Sequence, residues 1–423
     1  MPRGRALSTA LLFVVAIAAA VALALWQRAR GENDWGNAGF QQIQHARSVW
    51  DGAGFGRTYP FGFHPNLFLR PVYTVVLAPF TAAFQWDAAP FRVGVAVLQG
   101  AANAGLGLAV GWVLARAGQE RAASVARWAC VLDPFLVSQA ATIVDTIVFT
   151  LLLAGSWALA VRASERRTTG AWALAGLCFG LAVLTRSTAL AVLPAAAFRL
   201  WETRPAARDA ARHAAAFGAA AFLVLVPWFA RNHAITDRWM LSTVDGVNVW
   251  MGNNEHTARF LDEARSLDEL PGREPLDALN AVTVEDQLRA YDASREAASR
   301  WMRENRGEAL VLAVRKAGLL WTPQAYPRTT RSRIHGLKET VAVVWTLALY
   351  AVAACGLALA VRSPSLRPVA RDVALTCAAF TVPHAIAWSG TRLRVPLEPF
   401  LIVLAAVGVA AALDAARRRR GGG

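Results

Sequence analysis

The sequence predicts an all-α polytopic membrane protein, a bundle of about ten transmembrane helices with further helices in its external loops. Three observations carry this reading. Of the 423 residues, 55% are hydrophobic and only 17% charged, where soluble domains carry about 25% charged residues. Many windows approach the ~20 apolar residues that span a bilayer. The arginines cluster in short linkers between those windows: Arg116/Arg121/Arg127, Arg162/Arg166/Arg167, Arg199 to Arg212, Arg362 to Arg371 and Arg417 to Arg420. Placing these linkers in the cytoplasm satisfies the positive-inside rule and sends the intervening loops to the other face. Topology and anionic headgroups then account for the net charge of +15, and no nucleic-acid partner is called for.

The apolar run Ala6–Trp26 follows the basic Met1–Arg5 and reads as an uncleaved first span, longer than a signal-peptide core, although Ala18–Ala20 keep cleavage possible. Further spans fall at about 91–115, 122–141, 143–161, 170–185, 187–200, 213–230, 339–361, 372–388 and 397–415. An even count with the N-terminus inside puts both termini in the cytoplasm. Pro71–Phe84 is apolar but short, and counting it as a span would invert the later linkers. It is therefore expected to be a re-entrant or interfacial helix, packed on the bundle because irregular backbone at membrane depth needs protein cover.

The organisation predicted is an N-terminal transmembrane module over 1–230 with a first external loop at 27–90, a large external loop at 231–338, and C-terminal transmembrane helices over 339–423. In the large loop Ser294–Asn305 reads as an amphipathic helix, and Ala309–Trp321 suits the membrane surface. Cys130, Cys178, Cys355 and Cys377 lie in apolar runs without metal-ligand spacing and read as small core residues.

The external loops hold the unusual polar residues. Glu32 and Asp34 follow the first span, where a carboxylate acts as a general base or merely caps the next helix. Asp145 sits in Ile143-Val-Asp-Thr146 with little local polar help, and a carboxylate at such depth points to function. Asp133, before Pro134, equally suits a helix cap. Arg186, Arg231, Arg392 and Arg394 all lie on the external face, against the charge bias. Snorkelling is the plain reading; a phosphate cradle fits better, since guanidinium binds phosphate oxygens bidentately and keeps its charge when buried. The segment Val244–Asn254, with Asn253 beside Trp250, suits either sugar hydroxyls or turns. His384 is a further external polar residue.

In order along the chain, these pieces resemble the GT-C superfamily of membrane glycosyltransferases, the group with protein mannosyltransferases and lipid A aminoarabinose transferases. The matching segments are the acidic first loop, Arg70-Pro-Val-Tyr73, Gly180–Ser187, Arg231-Asn232 with Gly246–Asn254, and Arg392–Pro399. The resemblance implies transfer of a sugar from a polyprenyl-phosphate carrier to an extracytoplasmic glycan, lipid or protein, with inversion. It implies Asp34 as base, with Glu32 or Asp51 as substitutes because Asp34 lies about a turn early. It also implies Asp145 as the second carboxylate, and Arg186, Arg231, Arg392, Arg394, Asn253 and Tyr73 as substrate ligands. Ser187 replaces the family's usual proline. No cofactor is required; a divalent cation has no ligand cluster to support it. The alternative is a non-catalytic protein: a flippase or transporter for lipid-linked sugars, which is expected to bind near the bilayer midplane, or a GT-C relative that has lost activity.

Overall fold

The computed structural model describes residues 3–30, 36–57, 62–85, 88–203, 205–263, 283–324 and 333–421. Its helices are α1 (Arg3–Ala29), α2 (Gly36–Trp50), α3 (Pro71–Ala83), α4 (Ala89–Arg116), α5 (Glu120–Leu132), α6 (Pro134–Ala141), α7 (Thr146–Arg166), α8 (Thr169–Val183), α9 (Leu193–Glu202) and α10 (Ala207–Thr236). There follow α11 (Val244–Met251), α12 (Thr257–Glu263), α13 (Val284–Glu304), α14 (Arg306–Trp321), α15 (Arg333–Ala360), α16 (Arg367–Ile386), α17 (Thr391–Arg394) and α18 (Glu398–Gly421). A two-residue antiparallel ladder, β1 (Gly56–Arg57) with β2 (His64–Pro65), is the only sheet among the described residues.

Every predicted apolar run is helical, and six helices are long and apolar enough to cross a membrane: Ala6–Ala29, Ala89–Arg116, Thr146–Arg166, Ala207–Thr236, Gly336–Ala360 and Thr391–Arg420. Four of the ten expected spans, 122–141, 170–185, 187–200 and 372–388, are not among these six, and two of the four are interrupted. The run 122–141 breaks at Asp133, whose Oδ1 accepts from the Leu136 amide at 2.9 Å and caps α6, while Pro134 takes its first position. The run 187–200 opens as a 310 turn, Ser187–Val192, before α9. Helix α3 has 13 residues. At 1.5 Å per residue that is about 20 Å, short of the ~30 Å hydrocarbon core. It packs on α2, burying Tyr73 and Leu77.

The main core joins α4, α5, α7, α16 and α18 around Trp157, Phe149 and Phe400. Trp157 donates to buried Asp372 at 2.9 Å, and Arg199 pairs with the same oxygen at 2.6 Å. So one linker arginine is a structural partner as well as a topology signal. A second, smaller core unites α11, α13 and α14 with Trp388. The amphipathic helix expected over 294–305 is the end of α13. Leu310, Val311 and Val314 of α14 are exposed.

In lipid, helices associate through close packing, and small residues permit it. Gly176 and Gly180 of α8, one turn apart, lie on the α10 backbone: a Cβ on Gly176 would collide with the Phe217 carbonyl, and one on Gly180 would stand 2.8 Å from the Ala221 oxygen. Gly356 of α15 meets the Leu404 carbonyl in the same way, and Gly408 of α18 returns the contact against Val352. Gly356→Leu is expected to cost at least about 3 kcal/mol and the monodisperse peak in detergent. Gly218→Ala, with open space around its Cβ, is expected to be neutral or slightly stabilising. Size-exclusion profiles and melting temperatures of the two variants check this.

Candidate functional site

Four chain breaks meet at one mouth of the bundle. The first is the turn Thr142–Asp145 before α7. The second follows α8, where Arg186 leaves the helix in an extended conformation. There its Nε donates to Asp145 Oδ2 at 3.0 Å, its Nη2 pairs with Oδ1 and also donates to Thr146 Oγ1 at 2.9 Å. Burial raises the Asp145 carboxyl, but the charges of Arg186, then Arg392 and Arg70, outweigh it and hold the group below the ordinary carboxylate range. Asp145 is therefore a fixed anion that orients Arg186.

The third break is Arg70, immediately before α3. Its Nη2 donates to both oxygens of Asp245 at 2.9 and 3.1 Å and to Ser187 Oγ at 3.2 Å. The fourth is α17, carrying Arg392. The field of Arg392 acts on both Asp145 and Arg186, yet it forms no hydrogen bond or ion pair among the described residues. Its side chain is exposed to solvent. Three guanidiniums thus face two carboxylates, leaving one net positive charge and one uncommitted fork of donors. His384 lies close enough for Arg186 to act on it and binds the Trp388 carbonyl through Nδ1 at 3.0 Å.

The other expected ligands hold the breaks in place. Tyr73 donates to Gln99 at 3.2 Å, and Gln99 donates to the Ala140 and Thr142 carbonyls at 3.1 and 2.7 Å, fixing the turn that ends in Asp145. Arg231 donates to the Phe55 and Asn66 carbonyls at 2.6 and 2.8 Å and lies over the Trp228 ring. Gln287, Ser242 and Thr243 bond the same stretch, so the segment leading to Arg70 is clamped from the large loop. Asn253 donates to the Val249 and Ile386 carbonyls and accepts from Lys316. Arg394 is fully buried, bound to Glu398, Thr322, Tyr350 and Thr346. Glu32 and Asp34 lie outside the described residues. Asp51 is exposed and pairs with Arg47.

Asp245 and Lys316 are functional-site residues that the sequence does not single out. Asp245 lies in a Gly- and Asn-rich segment, where a single carboxylate carries no distinguishing signal. Lys316 is fully buried in α14, and its Nζ donates to the carbonyls of Gly252 and Ile386 and to Asn253 Oδ1 at 2.7, 2.9 and 3.1 Å. Burial pushes its amine down to about 8. A charge interrupting the apolar stretch Ala309–Trp321 was the available signal. Among the described residues, no three His, Cys, Asp or Glu side chains cluster as metal ligands.

Residues 70–274, just under half the chain, match the model of glycosyltransferase family 87. The match begins at Arg70 and takes in Asp145, Arg186, Arg231, Asp245 and Asn253. The solved archaeal oligosaccharyltransferase AglB from Archaeoglobus fulgidus, in complex with an inhibitory peptide and a dolichol-phosphate, superposes over 98% of this chain with a TM-score of 0.58 at 15% identity. Its apo form superposes over 98% with a TM-score of 0.55 at 13% identity. The chain has the GT-C fold. It spans about half the length of these structures, 51% of each. No curated protein matches the sequence. Within the GT-C fold the mouth described above lies at the helix ends, which is where the irregular backbone and its charged side chains gather.

His45 of α2 is buried beside Arg57 and Arg231, and neither ring nitrogen has a partner. Burial first, then the two arginines, push it down from 6.5 to about 3. The docked loop holds it neutral, so docking is fully stable above pH 6.5 and weakens as pH falls from there towards 3. Each pH unit in that window costs about 1.4 kcal/mol. Limited proteolysis of the first loop is expected to accelerate on acidification, and His45→Gln to flatten that dependence.

Proposed function

We propose that this membrane glycosyltransferase takes a sugar from a polyprenyl-phosphate carrier and passes it to a glycan, lipid or protein acceptor on the extracytoplasmic face. The observation that carries the proposal is the uncommitted guanidinium of Arg392 beside Arg186 and Arg70, both held by carboxylates. Such a constellation suits a phosphate that gains charge as it leaves the anomeric carbon. Asp145 and Asp245 fix two of the forks in advance, so little reorganisation is needed during reaction. Asp145, held ionised by Arg186, is poorly suited to take a proton. The base in this proposal is a first-loop carboxylate, Asp34, with Glu32 as its substitute, removing the acceptor proton as the acceptor attacks and inverts the centre. Arg231, Arg394, Asn253 and Tyr73 are positioning residues for the segments that carry the arginines.

The sidedness follows from the arginine linkers. Helix α7 runs from Thr146, next to Asp145, to Arg166, so the cluster and the Arg162–Arg167 linker lie at its opposite ends. With the linkers cytoplasmic, the cluster faces outward and both termini are inside. A flippase is expected to hold its cargo near the midplane, whereas these charges stand at helix ends.

Sugar transfer from polyprenyl-phosphate donors in membranes tests the proposal. Arg392→Gln is expected to lower kcat/KM by about 10²–10³, the usual loss on removing a donor to developing charge. Arg392→Lys is expected to restore part of it. Asp34→Asn and Glu32→Gln, made separately, are expected to single out one inactive variant, and full activity in both removes the base assignment. A reporter fusion that places Glu165 outside the cell overturns the topology.

A further inference from the structure

At the end of the bundle away from that cluster, Trp112 and Arg116 of α4 and Arg162, Glu165 and Arg166 of α7 line a cavity of about 340 Å³. This is the size of a small-ligand pocket, ~300–1,000 Å³. Arg116 holds Glu165 through Nε alone, at 3.3 and 3.0 Å, which leaves its two terminal nitrogens without a bond among the described residues. Arg162 and Arg166 form no hydrogen bond or ion pair among the described residues, and both are exposed. Trp112, half-buried, forms one wall.

The arginines could simply complement the helix C-termini, each worth roughly −0.5 charge. Two such ends against three guanidiniums and one carboxylate still leave the cavity positive. Arginines serving only the dipoles need no cavity between them. Helix α7 has 21 residues, about 31 Å at 1.5 Å per residue, one hydrocarbon thickness. The cavity therefore lies at the surface of the leaflet opposite the Asp145–Arg186 pair, out of reach of a substrate held there. A tryptophan beside cations at that depth matches the amphipathic belt of a membrane interface.

We propose that this cavity binds the phosphate group of an anionic lipid headgroup from that leaflet, with Arg162 and Arg166 as bidentate donors, Arg116 as the third cation and Trp112 against the glycerol region. This site is independent of the transferase chemistry. The phosphate chemistry is shared with free inorganic phosphate, and the test separates the two sources.

The full chain, purified in detergent, is examined by native mass spectrometry and thermal unfolding with phosphatidylglycerol, phosphatidylcholine or inorganic phosphate. Phosphatidylglycerol is expected to be retained at least tenfold over phosphatidylcholine and to raise the melting temperature. Arg162→Gln/Arg166→Gln is expected to lose that retention tenfold or more. The exposed control Arg208→Gln, which removes one linker charge elsewhere, is expected to keep it. Arg162→Lys/Arg166→Lys, which preserves the topology signal, is expected to weaken retention several-fold by removing the bidentate forks. Equal retention by wild type and both double variants overturns the site. Equal stabilisation by inorganic phosphate alone, abolished by Arg162→Gln/Arg166→Gln, overturns the lipid as source while upholding the phosphate contact.

Discussion

Backbone that leaves the helix near a membrane must find its hydrogen bonds inside the protein, and this constraint shapes the end of the bundle that carries the charged cluster. Four breaks carry the charged cluster, and buried polar side chains complete three of them. Gln99, steadied by Tyr73, caps the carbonyls before Asp145. Arg231, Gln287 and Ser242 bond the stretch before Arg70. Lys316 and Asn253 both donate to the Ile386 carbonyl at the end of the helix before Arg392. The fourth, after α8, closes through Arg186 itself on Asp145. The polar groups therefore form a nested arrangement, in which an outer set holds backbone so that an inner set can face a ligand.

The helices were legible because apolar runs of near-bilayer length have few alternatives, and the Asp133-Pro134 break was legible as a cap. Asp145 and Arg186 stood out as charges in apolar surroundings, and they meet. What the sequence could not show was which of several arginines is left without a partner among the described residues. Arg392 and Arg394 are two residues apart, and at 3.6 residues per turn their side chains project about 200° apart. One stays exposed and the other turns into the core against Glu398 and Tyr350. Composition is blind to that difference. Asn253 shows the same limit: an amide next to tryptophan reads alike whether it meets a sugar or, as here, a buried lysine.

Lys316 illustrates how uneven the energetics are. Its ammonium is buried with two carbonyls and an amide oxygen as its partners. A buried amine without a carboxylate is costly, so the three acceptors must stay in register for the arrangement to persist. Two of them belong to the end of α11 and its following turn, and one to the end of α16. The segments bearing Asp245 and Arg392 are thus secured through a single nitrogen. The glycine contacts between α8 and α10, and between α15 and α18, supply the complementary rigidity: they set helix spacing by backbone contact instead of by adaptable side chains.

Helix α7 begins beside a fixed anion and ends among arginines. A span with a charged group at only one end can slide along the membrane normal and let its free end adjust. One with charged groups at both ends is a gauge of fixed length. Where the surrounding bilayer is thicker or thinner than that gauge, the mismatch falls on the lipid or on the tilt of the whole bundle, at a cost of fractions of a kcal/mol per Å.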